Sequence, residues 1–86
     1  MIKLSIIIPA FNEQATIIEL LEKVDEQKIP GVELEVIVID DGSTDKTLKL
    51  LEEHPSLYSK LIKQSFNEGK GAAVKAGLAE AEGEYV

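Results

Sequence analysis

The fold is decided by the stretch Val36-Ile37-Val38-Ile39-Asp40-Asp41-Gly42. Its first four residues are apolar and β-branched without alternation, a pattern typical of a strand buried on both faces of a parallel sheet. The acidic pair and the glycine end that strand. A second run of the same kind, Leu4-Ser5-Ile6-Ile7-Ile8, stops at Pro9, which has no N–H for a sheet ladder. We therefore expect a parallel sheet with helices on both faces.

The first helix follows the first strand. It is predicted by an apolar stripe with helical spacing, formed by Ile17, Leu20, Leu21 and Val24. Asn12 precedes the stripe and is expected to cap the helix, because a side-chain oxygen there can accept from a free backbone N–H. Glu19 and Lys23 are spaced to form an exposed ion pair on the same helix.

The remaining elements alternate along the chain. A short second helix is expected around Thr47–Leu51, and a third over residues 71–81, where small residues are explained equally by helix propensity or by close packing on the sheet. Weaker strands are predicted at Lys60–Gln64 and from Glu84 onward. The order β-α-β-α-β-α-β predicts a Rossmann-like α/β fold. Because the last strand is unfinished at Val86, we interpret residues 1–86 as an N-terminal part of a larger domain.

Composition excludes several classes of function. Eighty-six residues suit one domain, and the absence of cysteine removes disulfides and thiolate metal sites. Nine lysines against 16 acidic residues give a net charge of -7, with only four aromatic residues, which argues against nucleic-acid binding. The apolar runs are too short to span a bilayer, and no export signal is found. A cytoplasmic location is expected.

Polar residues collect where the predicted strands end. Ligands of open parallel sheets bind outside these carboxyl ends. The three loops concerned begin with Pro9-Ala10-Phe11-Asn12-Glu13, Asp40-Asp41-Gly42-Ser43-Thr44-Asp45 and Phe66-Asn67-Glu68-Gly69-Lys70-Gly71. Ser43 and Asp45 are expected to cap the next helix. Because capping does not require two further adjacent carboxylates, Asp40 and Asp41 favour a ligand role. Gly69-Lys70-Gly71 fits either a phosphate-binding helix start or a flexible one with a solvated lysine.

The three loops together resemble family 2 glycosyltransferases, and in particular their dolichyl-phosphate mannosyltransferase-like branch of inverting enzymes. The resemblance covers essentially all 86 residues. It implies a GT-A fold and a UDP- or GDP-sugar donor at the strand edge. By the same resemblance, Pro9, Phe11 and Glu13 line the nucleoside pocket. Asp40 holds the base and Asp41 the base or the ribose. A third segment, with Asn67, Gly69 and Lys70, lies beside the nucleotide, and Lys70 faces the phosphate.

The resemblance also implies groups that residues 1–86 lack. A D-x-D motif that binds Mg or Mn is expected after the fourth strand, and a carboxylate base that activates the acceptor comes later. Asp40-Asp41 is not that motif. We therefore expect an enzyme whose first 86 residues carry donor-nucleotide binding alone, hold no metal, contain no catalytic residue and are inactive by themselves. A polyprenyl phosphate is the candidate acceptor, which would place the protein at the cytoplasmic face of a membrane.

Two other functions share parts of this pattern. A phosphorelay receiver domain needs a phosphoacceptor aspartate after a later strand, and no aspartate follows Asp45. A non-catalytic nucleotide-binding or interaction module of α/β fold stays open as the alternative. An exposed last strand would also offer an edge for self-association.

Overall fold

The computed structural model describes residues 2–64, 75, 77, 79, 84 and 85. Strand β1 spans Ile2–Ala10, helix α1 Ile17–Asp25, strand β2 Val32–Asp41 and helix α2 Thr47–Glu53. A single 3-10 turn at Pro55–Leu57 leads into strand β3, Lys60–Gln64, and strand β4 is Glu84–Tyr85. Lys75, Gly77 and Ala79 are helical, while the rest of the predicted third helix lies outside the described residues. Among these residues, no helix is long and apolar enough to cross a membrane.

The sheet is parallel throughout, in the order β3-β2-β1-β4. β1 pairs with β2 over its whole length, from Ile2 opposite Val32 to Ala10 opposite Asp40. β4 joins the other side of β1, with Leu4 opposite Glu84. The parallel sheet predicted from the two β-branched runs is therefore confirmed. The strand order reverses at β1, because β2 and β3 follow on one side of it and β4 lies on the other. In open α/β sheets, ligands bind at the carboxyl end of the strands where the order reverses.

Each face of the sheet buries its own apolar cluster, as the predicted two-sided covering requires. On one face, α1 and α2 supply Ile17, Leu21 and Leu51 against Val36 and Val38 of β2, and all five are at most 7% exposed. On the other face the core is formed by Ile37 and Ile39, packed with Ile7 and Ile62. Burying a side chain of this size stabilises the fold by roughly 1.5–3 kcal/mol. Successive residues of β2 serve opposite faces.

Helical Gly77 lies directly on the second face. A methyl group added at this position would lie 2.6 Å from Cγ2 of Ile7 and 2.9 Å from Cδ1 of Ile39. These distances are shorter than van der Waals contact, so a side chain at position 77 would push the helix away from the sheet. Of the two explanations for the small residues of this segment, close packing is therefore supported at Gly77.

Three local expectations need correction and one is confirmed. Pro9 does not end β1, because the strand continues to Ala10, with Pro9 opposite Ile39; one missing N–H is tolerated close to a strand end. Leu20 is 46% exposed and lies outside the buried stripe of α1. Asn12 does not cap α1, which begins five residues later at Ile17. The ion pair of Glu19 and Lys23 is present, with 3.3 Å between Oε1 and Nζ.

Candidate functional site

Three strand ends meet at the carboxyl edge of the sheet. Because the strands are parallel and in register, Ala10 of β1 lies opposite Asp40 of β2, and Asp41 opposite Gln64 of β3. We call residues 11–16 loop 1 and residues 42–46 loop 2. The predicted convergence of these two loops is confirmed. The third predicted segment, with Asn67, Gly69 and Lys70, lies outside the described residues.

Asp40 presents an unusual carboxylate at this edge. Its side chain is 2% exposed. Oδ2 accepts a hydrogen bond from the Ser43 N–H at 3.3 Å, whereas Oδ1 has no partner in the described part of the chain. A buried carboxylate oxygen without a donor is unfavourable, and folded proteins rarely keep one without a reason. A ligand N–H or O–H placed here would supply the missing donor. Asp41, the next residue, is also buried at 4% exposure.

The carboxamide of Gln64, at the end of β3, contains a second buried acceptor. Its Oε1 is buried and has no partner among the residues that the structure describes. The pairing of β3 with β2 places Gln64 opposite Asp41. Sequence reasoning assigned no role to this residue, since a glutamine at a strand end carries no distinctive pattern.

Loops 1 and 2 are joined by hydrogen bonds in both directions. Oδ1 of Asn12 accepts from the backbone N–H of Thr44 at 2.8 Å and of Asp45 at 3.3 Å. In return, Ser43 Oγ accepts from the Asn12 N–H at 3.0 Å. Further along, Thr47 Oγ1 accepts from the N–H of Glu13 at 2.8 Å. These bonds join the two loops into one wall at the carboxyl edge, and we call this set the loop clasp.

Two further bonds extend the loop clasp toward the helices. Oε1 of Gln14 accepts from the Lys46 N–H at 2.9 Å, and Oδ2 of Asp45 accepts from the Gln14 N–H at 3.4 Å. Asn12 has a φ of 51° and Gly42 a φ of 72°. Both lie in the left-handed region, which asparagine and glycine tolerate best. The sharp turns that bring the loops together thus depend on these two residue types.

Asp45 satisfies a free N–H at the start of α2, as the sequence predicts, although Lys46 occupies the N-cap position, whereas Ser43 bonds elsewhere. Oδ1 of Asp45 accepts from the N–H of Thr47 at 2.9 Å and from its hydroxyl at 2.5 Å. Burial raises the pKa of the Asp45 carboxyl, but the hydrogen bonds from Thr47 and Gln14 outweigh it and hold the pKa below its ordinary value. Ser43 instead bonds to Asn12 of loop 1, which its position before a helix did not indicate.

The predicted nucleoside-pocket residues lie beside the loop clasp. Pro9 is inside β1, and Phe11 and Glu13 belong to loop 1, where Phe11 is 38% exposed. An aromatic side chain exposed at a strand edge offers a face on which a base can stack. The carboxylate of Glu13 accepts from the Thr16 hydroxyl at 3.3 Å, so part of it already serves the turn into α1. Their role in binding stays a prediction.

The described residues offer no obvious metal centre. Among them, no three His, Asp or Glu side chains gather closely enough to hold a cation. Asp40 and Asp41 are two carboxylates, and the described residues bring no third ligand to them. No step of the chemistry is therefore assigned to a metal on these residues.

Comparison with known proteins agrees with this architecture. The sequence pattern of "Glycosyl transferase family 2" matches residues 5–86. A dolichyl-phosphate beta-glucosyltransferase of Dictyostelium discoideum is 39% identical, over 98% of this chain and 29% of its own length. The structure of Staphylococcus aureus TarS 1–349 with UDP has a TM-score of 0.84 at 36% identity, covering 99% of this chain and 27% of that one.

A second solved structure binds a different nucleotide. The mannosyltransferase PcManGT from Pyrobaculum calidifontis, in complex with GDP-Man and Mn²⁺, has a TM-score of 0.82 at 36% identity, covering 93% of this chain and 24% of that one. The present chain spans less than a third of the length of the curated relatives that it matches.

Proposed function

The chain belongs to glycosyl transferase family 2, and from this premise we propose that residues 1–86 form the nucleotide-binding part of a donor site for a UDP- or GDP-sugar. The complete protein then transfers the sugar to an acceptor with inversion. Support comes from the fold, which matches proteins that bind UDP and GDP-Man, and from the buried acidic edge. Nucleotide binding is the role assigned to these residues, and no catalytic residue is placed among them.

Oδ1 of Asp40, which has no hydrogen-bond partner among the described residues, is the observation that carries the proposal. A base presents an N–H at its hydrogen-bonding edge, N3–H in uracil and N1–H in guanine, and either would give Oδ1 the donor it lacks. A hydrogen bond to a buried carboxylate is worth about 1.5–3 kcal/mol. Because both bases carry such a donor, this contact does not choose between uracil and guanine.

We place the other predicted residues around this contact. Phe11 packs on the base or the ribose, with Pro9 and Glu13 completing the pocket wall. Asp41 accepts from the base or from ribose hydroxyls. Lys70, with Asn67 and Gly69, faces the diphosphate, where an ammonium group compensates its charge. These roles follow from the family's motif positions and from the neighbouring strand ends.

Transfer of the sugar needs groups other than those of the proposed nucleotide pocket. Mg or Mn bound with the diphosphate would neutralise the charge that builds up on the leaving nucleotide, and ligands for it are proposed outside residues 1–86. What this chain does is bind the nucleotide, orient it and exclude water from its base. A polyprenyl phosphate at the cytoplasmic face of a membrane is the proposed acceptor, in keeping with the dolichyl-phosphate enzyme among the relatives.

The test is a calorimetric titration of the complete protein that carries residues 1–86 with UDP and with GDP. We expect the Asp40→Asn variant to raise the Kd of the preferred nucleotide about 10- to 100-fold, because one charge-assisted bond is lost. Asp25→Asn is the matched control, since Asp25 is an exposed carboxylate at the opposite end of the sheet. An unchanged Kd in Asp40→Asn, or wild-type protein that binds neither nucleotide, would contradict the proposal.

A further inference from the structure

Asn12 makes more cross-loop hydrogen bonds than any other side chain of the loop clasp. Its Oδ1 receives the N–H groups of Thr44 and Asp45 and also the Thr44 hydroxyl, at 3.4 Å. Its own N–H donates to Ser43 Oγ. One residue of loop 1 is therefore tied to three consecutive residues of loop 2. No helix cap or core contact is needed to explain its position.

The backbone of Asn12 is held in a conformation that few residues adopt. With φ at 51°, an ordinary side chain would be strained, whereas asparagine tolerates the left-handed region. This conformation turns loop 1 so that the amide reaches loop 2, and the bonds to loop 2 hold the turn in place. Residue type and loop geometry therefore depend on each other at this position.

A short path leads from Asn12 to the open oxygen of Asp40. Asn12 donates to Ser43 Oγ, and the Ser43 N–H in turn donates to Oδ2 of Asp40 at 3.3 Å. Holding Oδ2 fixes the direction in which Oδ1 points. Asn12 also lies between Phe11 and Glu13 in the sequence. The same clasp thus fixes both the carboxylate and the loop that face a bound nucleotide.

We propose that Asn12 is a positioning residue for the nucleotide: its amide oxygen locks loop 1 onto loop 2, so that Asp40 and Phe11 are oriented before binding. This rests on the proposed nucleotide-binding function. Groups held in place before binding lose less conformational entropy when the ligand arrives, and affinity rises accordingly. Asn12 itself needs no contact with the ligand.

The experiment compares three variants in the complete protein by calorimetric titration with UDP and GDP, well below the unfolding temperature. Asn12→Gly removes the amide while still permitting a φ of 51°. Asn12→Asp keeps an acceptor oxygen and also tolerates that conformation. Ser59→Ala is the control. It removes the hydrogen bond that Ser59 Oγ accepts from the Val36 N–H at 3.0 Å, away from the carboxyl edge of the sheet. Thermal unfolding is measured in parallel.

We expect Asn12→Gly to raise the nucleotide Kd about fivefold. Asn12→Asp should recover at least half of that loss on a logarithmic scale, and Ser59→Ala should change the unfolding midpoint but not the Kd. A purely structural role would lower the midpoint of Asn12→Gly and leave its Kd at the wild-type value, which would overturn the inference. So would equal Kd values for Asn12→Gly and Asn12→Asp.

The outcome is separable from the proposed function. If wild-type protein binds a nucleotide and Asp40→Asn weakens it, while Asn12→Gly binds normally, the role of Asn12 falls and nucleotide binding stands. If wild-type protein binds neither UDP nor GDP, the proposed function has failed, and the positioning role fails with it.

Discussion

Of the three carboxylates that strand β2 buries, Glu35 and Asp40 lie five residues apart and have opposite surroundings. Glu35, at 4% exposure, accepts from the buried Ser5 hydroxyl at 2.7 Å and has the ammonium groups of Lys3 and Lys60 within 3.8 and 3.5 Å. Asp40, at 2% exposure, has one backbone donor and an open Oδ1, and no cation pairs with it among the described residues. Glu35 lies toward the amino edge and Asp40 at the carboxyl edge.

Under the proposed function, the difference separates a structural acid from one held for a ligand. Moving a carboxylate out of water costs several kcal/mol, and cations and donors must repay that cost. At Glu35 the fold supplies them from both neighbouring strands. At Asp40 the described residues supply a single donor, and under the proposed function a ligand supplies the next. Burial alone, which is the same at both positions, does not distinguish the two roles.

The largest effect on stability is expected for Glu35→Gln. The amide keeps the bond from Ser5 but leaves Lys3 and Lys60 without their shared negative partner. Because both lysines are about one-third exposed, water compensates in part, and we expect a loss of about 2 kcal/mol in the free energy of unfolding. Urea denaturation measures it. The control Glu33→Gln, at an exposed site of the same strand, should change it by less than about 0.5 kcal/mol.

The two lysines sharpen the comparison, since either can partly replace the other. Replacing Lys3 or Lys60 alone by Met should cost less than about 1 kcal/mol, because Glu35 retains one cation. The double variant should cost more than the sum of the two, since it removes both of these cations from a buried carboxylate. A double-mutant cycle by urea denaturation tests this. If the two losses in the free energy of unfolding simply add, Lys3 and Lys60 do not share Glu35 as a common partner.

Asp40→Asn should behave in the opposite way. The change removes a poorly compensated buried charge and keeps an acceptor for the Ser43 N–H, so we expect the free energy of unfolding to change by less than about 0.5 kcal/mol. Urea denaturation, beside the nucleotide titration described above, measures it. A destabilisation as large as that of Glu35→Gln would mean that both acids are structural, and the comparison would collapse.

The smallest effect concerns pH and the loop clasp. The folded-state pKa of Asp45 is lowered, so its ionised form stabilises the fold above the unfolded-state pKa, near 3.9, and that contribution is lost as the pH falls through the lower folded value. Unfolding midpoints of wild type and Asp45→Asn should therefore differ at about pH 6 and converge at acid pH. A difference that persists into strong acid would contradict this.

Much of the fold could be predicted because its signals are local. The uninterrupted β-branched runs around Ile7 and Ile37 indicated parallel strands covered on both faces, and the pairing of β1 with β2 confirms them. Family membership was likewise predicted, because three motifs occur in order. Leu20 has the helical spacing of the apolar stripe but is 46% exposed, since helical spacing does not show how wide a surface the sheet covers.

The sequence predicts where the candidate site lies in the fold but not how its side chains are arranged. The acidic pair pointed to the carboxyl edge. The sequence could not show that an oxygen of Asp40 has no partner among the described residues, or that Glu35 pairs with lysines of two neighbouring strands. Asn12 was read as a helix cap because caps are the common use of asparagine before a helix. Its bonds to loop 2 connect residues about 30 positions apart, which no local pattern reveals.

The position of β1 inside the sheet has a consequence during synthesis. β1 and β2 can pair as soon as Asp41 leaves the ribosome, but the other edge of β1 must wait for Glu84, its partner at Leu4. At about 5–20 residues per second, that edge stays open for several seconds. An unpaired strand edge can pair with another chain. Nascent chains crowded on one messenger RNA are therefore most exposed to mispairing in this interval, and a chaperone would act best there.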